Sequence, residues 1–378
     1  MPNSSYRSTL RIDLSQLAHN IGVYREIVGT NVKVMAVVKG NAYGHGSISI
    51  AKAALSASAD WLGVASVDEG LILRQADITA PILVLGPWKV EEIDLAIQFE
   101  LDLMVSHLKQ LQQLETRARQ IGRIVGVHVS IDTGLGREGV WFSDFNEKWI
   151  RDLEERKWLH WKGIMSHFSE SDNTSIQFTK LQLDRFFSVM QFVQRRLVHP
   201  ILFHLANSVA TKRFPNSHLD MIRVGSGIYG VGPFLPIGVF PILTWTSQIV
   251  DIRNVTSGTY VGYGRKYRTI RKAKLCTVPV GYFDGYKRAL AGGDVLIKGQ
   301  RYRIAGTISM NQMTVLTPCN RTVSIGDKVT LIGIEDGEQI RVDDLSSRLG
   351  TIPEEVLTGI GDHVPRQYLT ASTPLSCP

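Results

Sequence analysis

No apolar run in this 378-residue sequence approaches the roughly 18 residues needed to span a bilayer. The opening stretch, MPNSSYRSTLRIDLSQL, lacks the apolar segment of a secretory signal. Cysteine is nearly absent: Cys276, Cys319 and Cys377 are too few and too scattered for a disulfide framework or a metal site. These absences together point to a reducing cytoplasm. Neither sign of charge dominates, and the net charge of +7 favours acidic ligands or solubility without deciding between them. The one dense basic run, GRKYRTIRKAK at 264–274, has no nucleic-acid reader motif beside it and reads as a solvated loop or strand edge. Internal repeats and low-complexity tracts are also missing. What remains is an ordinary globular composition, 44% hydrophobic and 20% charged, long enough for one large domain and a smaller one.

The first two-thirds alternate between short apolar runs and segments of helical spacing. The runs lie at 32–39, 61–66, 81–86, 101–106, 124–132, 161–168, 201–208 and 219–225. Helical spacing fills segments between them, as at 48–58, 107–122 and 175–197. Strand–helix alternation predicts parallel strands covered by helices, and eight repeats fit an α/β (β/α)₈ barrel better than an open sheet. After about residue 240 the runs become short, β-branched and separated by Gly, Asn or Asp, which predicts a C-terminal, mostly-β domain. The Pro/Gly-rich GVGPFLPIGVFP, 230–241, reads as the linker. The expected division is 1–240 and 241–378, with about the first ten residues free to pack on the second domain.

Barrel active sites lie at the C-terminal ends of the strands. Polar residues gather at that rim: Lys39 at the end of the first strand, Arg137 after the fifth, His167 at the end of the sixth, Asn207 and Ser208 after the seventh, and Arg223 in the eighth. A lysine in apolar surroundings has a lowered pKa, because desolvation disfavours the ammonium form. The neutral amine is a nucleophile, and pyridoxal phosphate is the cofactor that most often exploits it. Ser208 and the backbone N–H groups of Gly225 and Ser226 offer an anion cradle. On pattern alone a structural lysine snorkelling at a strand end remains an equal alternative.

The stretch AVVKGNAYGHG around Lys39 closely resembles the lysine signature of the alanine racemase family, fold-type III pyridoxal-phosphate enzymes. IDTGLGREGV (131–140), GIMSHFSESD (163–172), HLANSVA (204–210), IRVGSGIYG (222–230), VGYGRKY (261–267), VGYFDGYKR (280–288), GTISMNQMTV (306–315) and HVPR (363–366) resemble family blocks in family order. The resemblance implies a homodimeric, cytoplasmic enzyme that racemises alanine by two bases and supplies D-alanine for peptidoglycan. Lys39 would hold the cofactor and serve one face of the substrate. Tyr263, from the β domain of a partner subunit, would serve the other, assisted by His167. Arg223 would face the pyridine nitrogen. Arg137 would bind near the substrate carboxylate and the cofactor's phenolate oxygen. Tyr43, Ser208, Gly225 and Ser226 would hold the phosphate, with Asn207 beside them. Met310 would offer its backbone N–H to the substrate carboxylate, and Tyr282 would line the entrance.

Three positions depart from the family pattern. Ser130 stands where many members carry a carbamylated lysine, so Arg137 needs another counter-charge, for which the expectation is bound chloride. Glu354, in TIPEEVL (351–357), replaces a tyrosine that reaches the phosphate; it is expected to point elsewhere or bond a cation, because two anions repel. Serine-preferring relatives also lack that tyrosine, which opens a broader substrate range. Asn311 replaces the usual aspartate after Met310, keeping the shape and losing a charge. Two rivals fit less well. Decarboxylases of this fold type usually set a glutamate against the pyridine nitrogen, where this chain has Arg223. Non-catalytic carriers resemble the barrel alone.

Overall fold

The structure, a computed structural model, describes residues 7–197 and 199–370; Cys377 lies outside them. These residues pack as two compact units, one made of 17–42 and 47–240, the other of 7–16, 43–46 and 241–370.

The larger unit is an eight-strand parallel near-barrel. Its strands are Lys33–Val37, Trp61–Val64, Ile82–Val84, Asp102–Val105, Val125–Asp132, Leu159–Met165, Leu202–His204 and Met221–Val224. Each falls within one of the eight apolar runs, apart from the N-terminal residues of the sixth. They pair in sequence order, and the eighth returns to pair with the first. The seventh and eighth are joined by Asp220 N–H to Phe203 O (3.0 Å) and Arg223 N–H to Ala206 O (2.9 Å), without a ladder. Alternate inward-facing side chains build the core, where Met35, Trp61, Leu83, Met104, Met165 and Met221 form one buried cluster. Unbranched methionines fill the irregular space inside a tapering barrel. The helices that cover the sheet include Leu108–Ile121, stopped by Gly122 in the left-handed conformation (φ 76°), a common helix terminator.

The smaller unit is mostly β. Its main sheet runs in the order Gln300–Arg303, Asp294–Ile297, Lys328–Glu335, Leu243–Gln248, Ser8–Asp13, Arg366–Leu369. The N-terminal strand is thus held between two C-terminal ones, antiparallel to Leu243–Gln248 and parallel to Arg366–Leu369. A second sheet contains Asp251–Val255, Ala273–Val278 and Met313–Pro318. Tyr260–Val261 and Tyr267–Arg268 form a small hairpin with Tyr263 in its turn. Cys276 is buried and Cys319 exposed, both as free thiols. Among the described residues no helix is long and apolar enough to cross a membrane, and no group of His, Cys, Asp and Glu is placed to hold a metal.

Candidate active site

The first barrel strand stops at Val37, two residues before Lys39. The sequence places the lysine at the strand end and assigns the turn to glycine, but the chain behaves differently. Gly40, Asn41, Ala42 and Tyr43 all have positive φ (62°, 51°, 54° and 54°), a left-handed turn in which only the first residue is glycine. Each of the others bears roughly 1–2 kcal/mol of steric cost. Local hydrogen bonds hold the turn: Ala42 N–H to Val38 O (2.8 Å), Ser47 N–H to Asn41 Oδ1 (2.9 Å) and Gly40 N–H to Glu69 Oε1 (2.6 Å). The other oxygen of Glu69 accepts from Ala65 N–H (2.7 Å), so this carboxylate ties the lysine turn to the end of the second strand. Glu69 was missed in the sequence, although the S-x-x-E spacing of Ser66 and Glu69 is a helix-start signal.

Lys39 is accessible at the barrel mouth, yet its amine stands below the ordinary lysine value. Desolvation by the surrounding protein is the main cause and the Arg137 charge the next, with Glu69 and Glu138 opposing. Arg223 and His167 also act on this region. The Arg223 side chain, 4% exposed, is held on four sides. NH1 donates to His204 O (2.8 Å) and His204 Nδ1 (3.1 Å), and NH2 to Ser166 O (2.6 Å) and His167 Nδ1 (3.2 Å). Arginine only donates, so both histidines must accept at Nδ1 and carry their proton on Nε2. His204 Nε2 then donates to His128 Nδ1 (2.9 Å). Burial pushes the His167 pKa down to about 3, helped by the charges of Arg223, Arg137 and Lys39, and His128 also to about 3. Both rings are neutral at ordinary pH. Burial and then Arg137 bring Arg223 to about 10, so it remains a cation at pH 7. Its Nε–H makes no bond among the described residues and is the donor left for a ligand. His128 and His204 had no separate signal in the sequence, because a histidine inside a strand reads as packing.

The anion cradle is more organised than a set of free N–H groups. Gly225 N–H and Gly227 N–H both donate to Ser208 Oγ (3.0 and 3.2 Å), which turns the Ser208 O–H outward. The Ser226 N–H makes no bond among the described residues. A side chain at Gly227 would put its Cβ 2.0 Å from the Tyr24 hydroxyl and 3.0 Å from Ser208 Cβ; glycine is the residue that lets the loop close over Ser208. Asn207 is engaged elsewhere: its Oδ1 caps the next helix at Ala210 N–H (2.9 Å) and its Nδ2 donates to Ser171 (2.9 Å). A serine hydroxyl, a free backbone N–H, an unengaged guanidinium donor and an amine of lowered pKa fit a phosphorylated, ring-nitrogen cofactor such as pyridoxal phosphate.

Arg137 pairs with its neighbour, Nε to Glu138 Oε1 at 3.4 Å, and its side chain is 57% exposed. Ser130 is buried on the fifth strand.

The smaller unit carries the other candidates. Tyr263 is 71% exposed and Met310 53%, and the Tyr263 carbonyl accepts from Thr307 Oγ1 (3.0 Å). Tyr282 N–H bonds Ser309 O (3.1 Å) and Phe283 N–H bonds Met310 O (2.9 Å), which sets the Tyr282 and Met310 loops side by side. A Cβ at Gly281 would fall 2.3 Å from the carbonyl oxygens of both Ser309 and Met310, so that approach requires glycine. The Met310 N–H makes no bond among the described residues. The Asn311 carbonyl accepts from Arg7. Burial, and then the charge of Glu354, hold the Tyr43 phenol above its ordinary value.

Comparison with known proteins decides between the readings. Residues 12–233 match the family described as alanine racemase, N-terminal domain, and residues 242–368 match alanine racemase, C-terminal domain. The chain belongs to the alanine racemase family. It is 35% identical over 365 residues to alanine racemase 2 of Caldanaerobacter subterraneus subsp. tengcongensis, covering 95% of this chain and 94% of that one. With the alanine racemase of Symbiobacterium thermophilum it shares 36% identity over 362 residues, 94% and 96% of the two chains. In structure it is similar to the alanine racemase of Bacillus anthracis solved with bound L-Ala-P (TM-score 0.90, 33% identity, 97% and 96% covered). A histidine racemase from Leuconostoc mesenteroides subsp. sake is also similar (TM-score 0.88, 26% identity, 97% and 99% covered).

Proposed function

We propose that this racemase-family protein interconverts L- and D-alanine with pyridoxal phosphate, as a cytoplasmic homodimer that provides D-alanine for the cell wall. The observation that carries the reading is the Lys39 amine of lowered pKa, in the same barrel mouth as the Ser208 cradle and the Arg223 donor. When bound, the cofactor supplies an electron sink that acidifies the substrate's α-C–H.

The chain's own groups then divide the work. Lys39, whose ammonium form is disfavoured by desolvation and by Arg137, takes or returns the α-proton on one face. Inversion requires a second proton carrier on the opposite face, and Tyr263 of a partner subunit has that role. The large exposed side chains of Tyr263, Tyr282, Phe283 and Met310 support a partner that covers them. His167, neutral and with its proton on Nε2, orients the phenol by hydrogen bonding and adds no second cation. Arg223, fixed by five hydrogen bonds to main-chain oxygens and histidines, would offer its remaining Nε–H to the ring nitrogen of a bound cofactor without giving up its proton. The Ser208 O–H and the Ser226 N–H hold the phosphate, with Tyr43. Arg137 and the Met310 N–H hold the substrate carboxylate, and Asn311 keeps the shape there without a charge. Tyr282 narrows the entrance.

A solution of L-alanine with the pyridoxal-phosphate-loaded protein is expected to lose its optical rotation completely; rotation that stays constant would end this reading. A second reading, broader substrate range, is favoured by Glu354 standing where serine-preferring relatives also lack the family's tyrosine. Measured in the same way, L-serine is expected to racemise at more than about one part in a thousand of the alanine rate, a gap of about 4 kcal/mol. A slower serine rate rejects it.

Ser130 cannot carry a charge, and Glu138 meets only the Nε side of Arg137. Chloride bound beside Ser130 completes the set. Turnover is expected to rise by about 5-fold or more when acetate buffers are replaced by chloride ones, the effect of ~1 kcal/mol in substrate positioning. Equal rates in both buffers would remove chloride from the site.

A further inference from the structure

The basic run 264–274 ends at a cavity in the C-terminal unit that racemisation does not use. Strands Gln300–Arg303 and Met313–Pro318 are the terminal strands of their two sheets, and a single bridge, Ile304 to Val315, links them. Beyond that bridge no ladder continues between 300–303 and 316–318, and the chains part around a cavity of about 310 Å³. Four arginines line it, Arg271, Arg301, Arg303 and Arg321, over a wall that includes Tyr302 and Leu316.

Arg301 has a counter-charge, Glu338 at 2.8 Å. Among the described residues, Arg271, Arg303 and Arg321 make no ion pair and no side-chain hydrogen bond. The loop bearing Arg321 is pinned by further cations: Lys274 Nζ donates to Arg321 O (2.8 Å) and Lys298 Nζ to Thr322 O (3.1 Å). Asp327, the acid nearby in sequence, is committed to Lys298 at 2.8 Å. Unpaired arginines gathered on one cavity wall leave positive charge unanswered, and an anion placed among them is attracted.

We propose that this cavity binds a condensed phosphate, the di- or triphosphate chain, either free or as the tail of a nucleotide. A cavity of about 310 Å³ has room for a group larger than a single orthophosphate. A carboxylate answers one of the unpaired positive charges and orthophosphate about one to two of them, whereas a di- or triphosphate chain answers all of them. A phosphate chain presents several oxygens in the geometry of the guanidinium fork. The proposal does not depend on the racemase reading.

Calorimetric titration of the full-length, pyridoxal-phosphate-loaded protein, whose cofactor phosphate site is filled, tests it. Sodium triphosphate is expected to bind saturably and at least about tenfold tighter than orthophosphate, and the double substitution Arg303→Glu/Arg321→Glu to weaken it by about 100-fold or more, with alanine turnover unchanged. ATP binding like triphosphate identifies the chain alone as the ligand, and ATP binding about tenfold tighter identifies a nucleotide. Should the double variant not fold, Arg271→Ala is read instead, with a loss of about tenfold expected. No saturable triphosphate binding at millimolar concentration overturns the proposal. So does an affinity unaltered in the folded variants.

Discussion

Lys39→Ala is expected to stop racemisation of L-alanine, by at least about 10⁴-fold, and to abolish the visible absorbance of the bound cofactor. The argument is one of charge and position. The amine stands at the barrel mouth with its ammonium form disfavoured by desolvation and by Arg137, the direction that a proton-accepting lysine requires. A lysine that only snorkelled at a strand end would give the opposite result, an altered stability and an unchanged rate. Lys39→Arg separates the two cases further. It keeps the cation and the length but cannot become neutral, so it is expected to be as inactive as the alanine variant. Racemisation retained by either variant removes Lys39 from the chemistry.

Tyr263→Phe is expected to lower racemisation by about 10²–10⁴-fold, the usual contribution of a positioned acid or base, with little change in folding. Removing one exposed hydroxyl from a hairpin turn leaves no buried group without a partner. The informative readout is proton exchange. In deuterated water the variant is expected to exchange the α-proton of one alanine enantiomer, through the remaining base, without converting it to the other. Exchange of both enantiomers, or racemisation at the wild-type rate, would show that another group serves the second face.

The barrel was legible because its signal is periodic and local. Eight apolar runs alternate with helical segments, and burial on both faces of a parallel sheet requires that pattern. Lys39 and Arg223 were legible as well, since each is a charged residue interrupting an apolar run. Asn207 reads as a cofactor neighbour, and its side chain also caps the following helix at Ala210 N–H, a second purpose that an asparagine before a helix serves with the same sequence. The left-handed turn at 40–43 was not legible. Asn41, Ala42 and Tyr43 have no intrinsic preference for positive φ strong enough to predict it, and the conformation is sustained by Glu69, 29 residues beyond Gly40.

The sequence by itself determined the family, the barrel with its β domain, and the main chemical groups, because these rest on residue types and on hydrophobic spacing along the chain. Tertiary structure decided the proton positions. His128, His204, Arg223 and His167 come from the fifth, seventh and eighth strands and the turn after the sixth, and the direction in which each donates follows from an arginine that can only donate. It also decided the cradle, where Ser208 draws in two backbone N–H groups from a loop 17 and 19 residues away, and the unpaired arginines at the seam of two sheets. Hydrogen-bond direction and unanswered charge depend on which groups meet in space, and chain spacing carries no record of that.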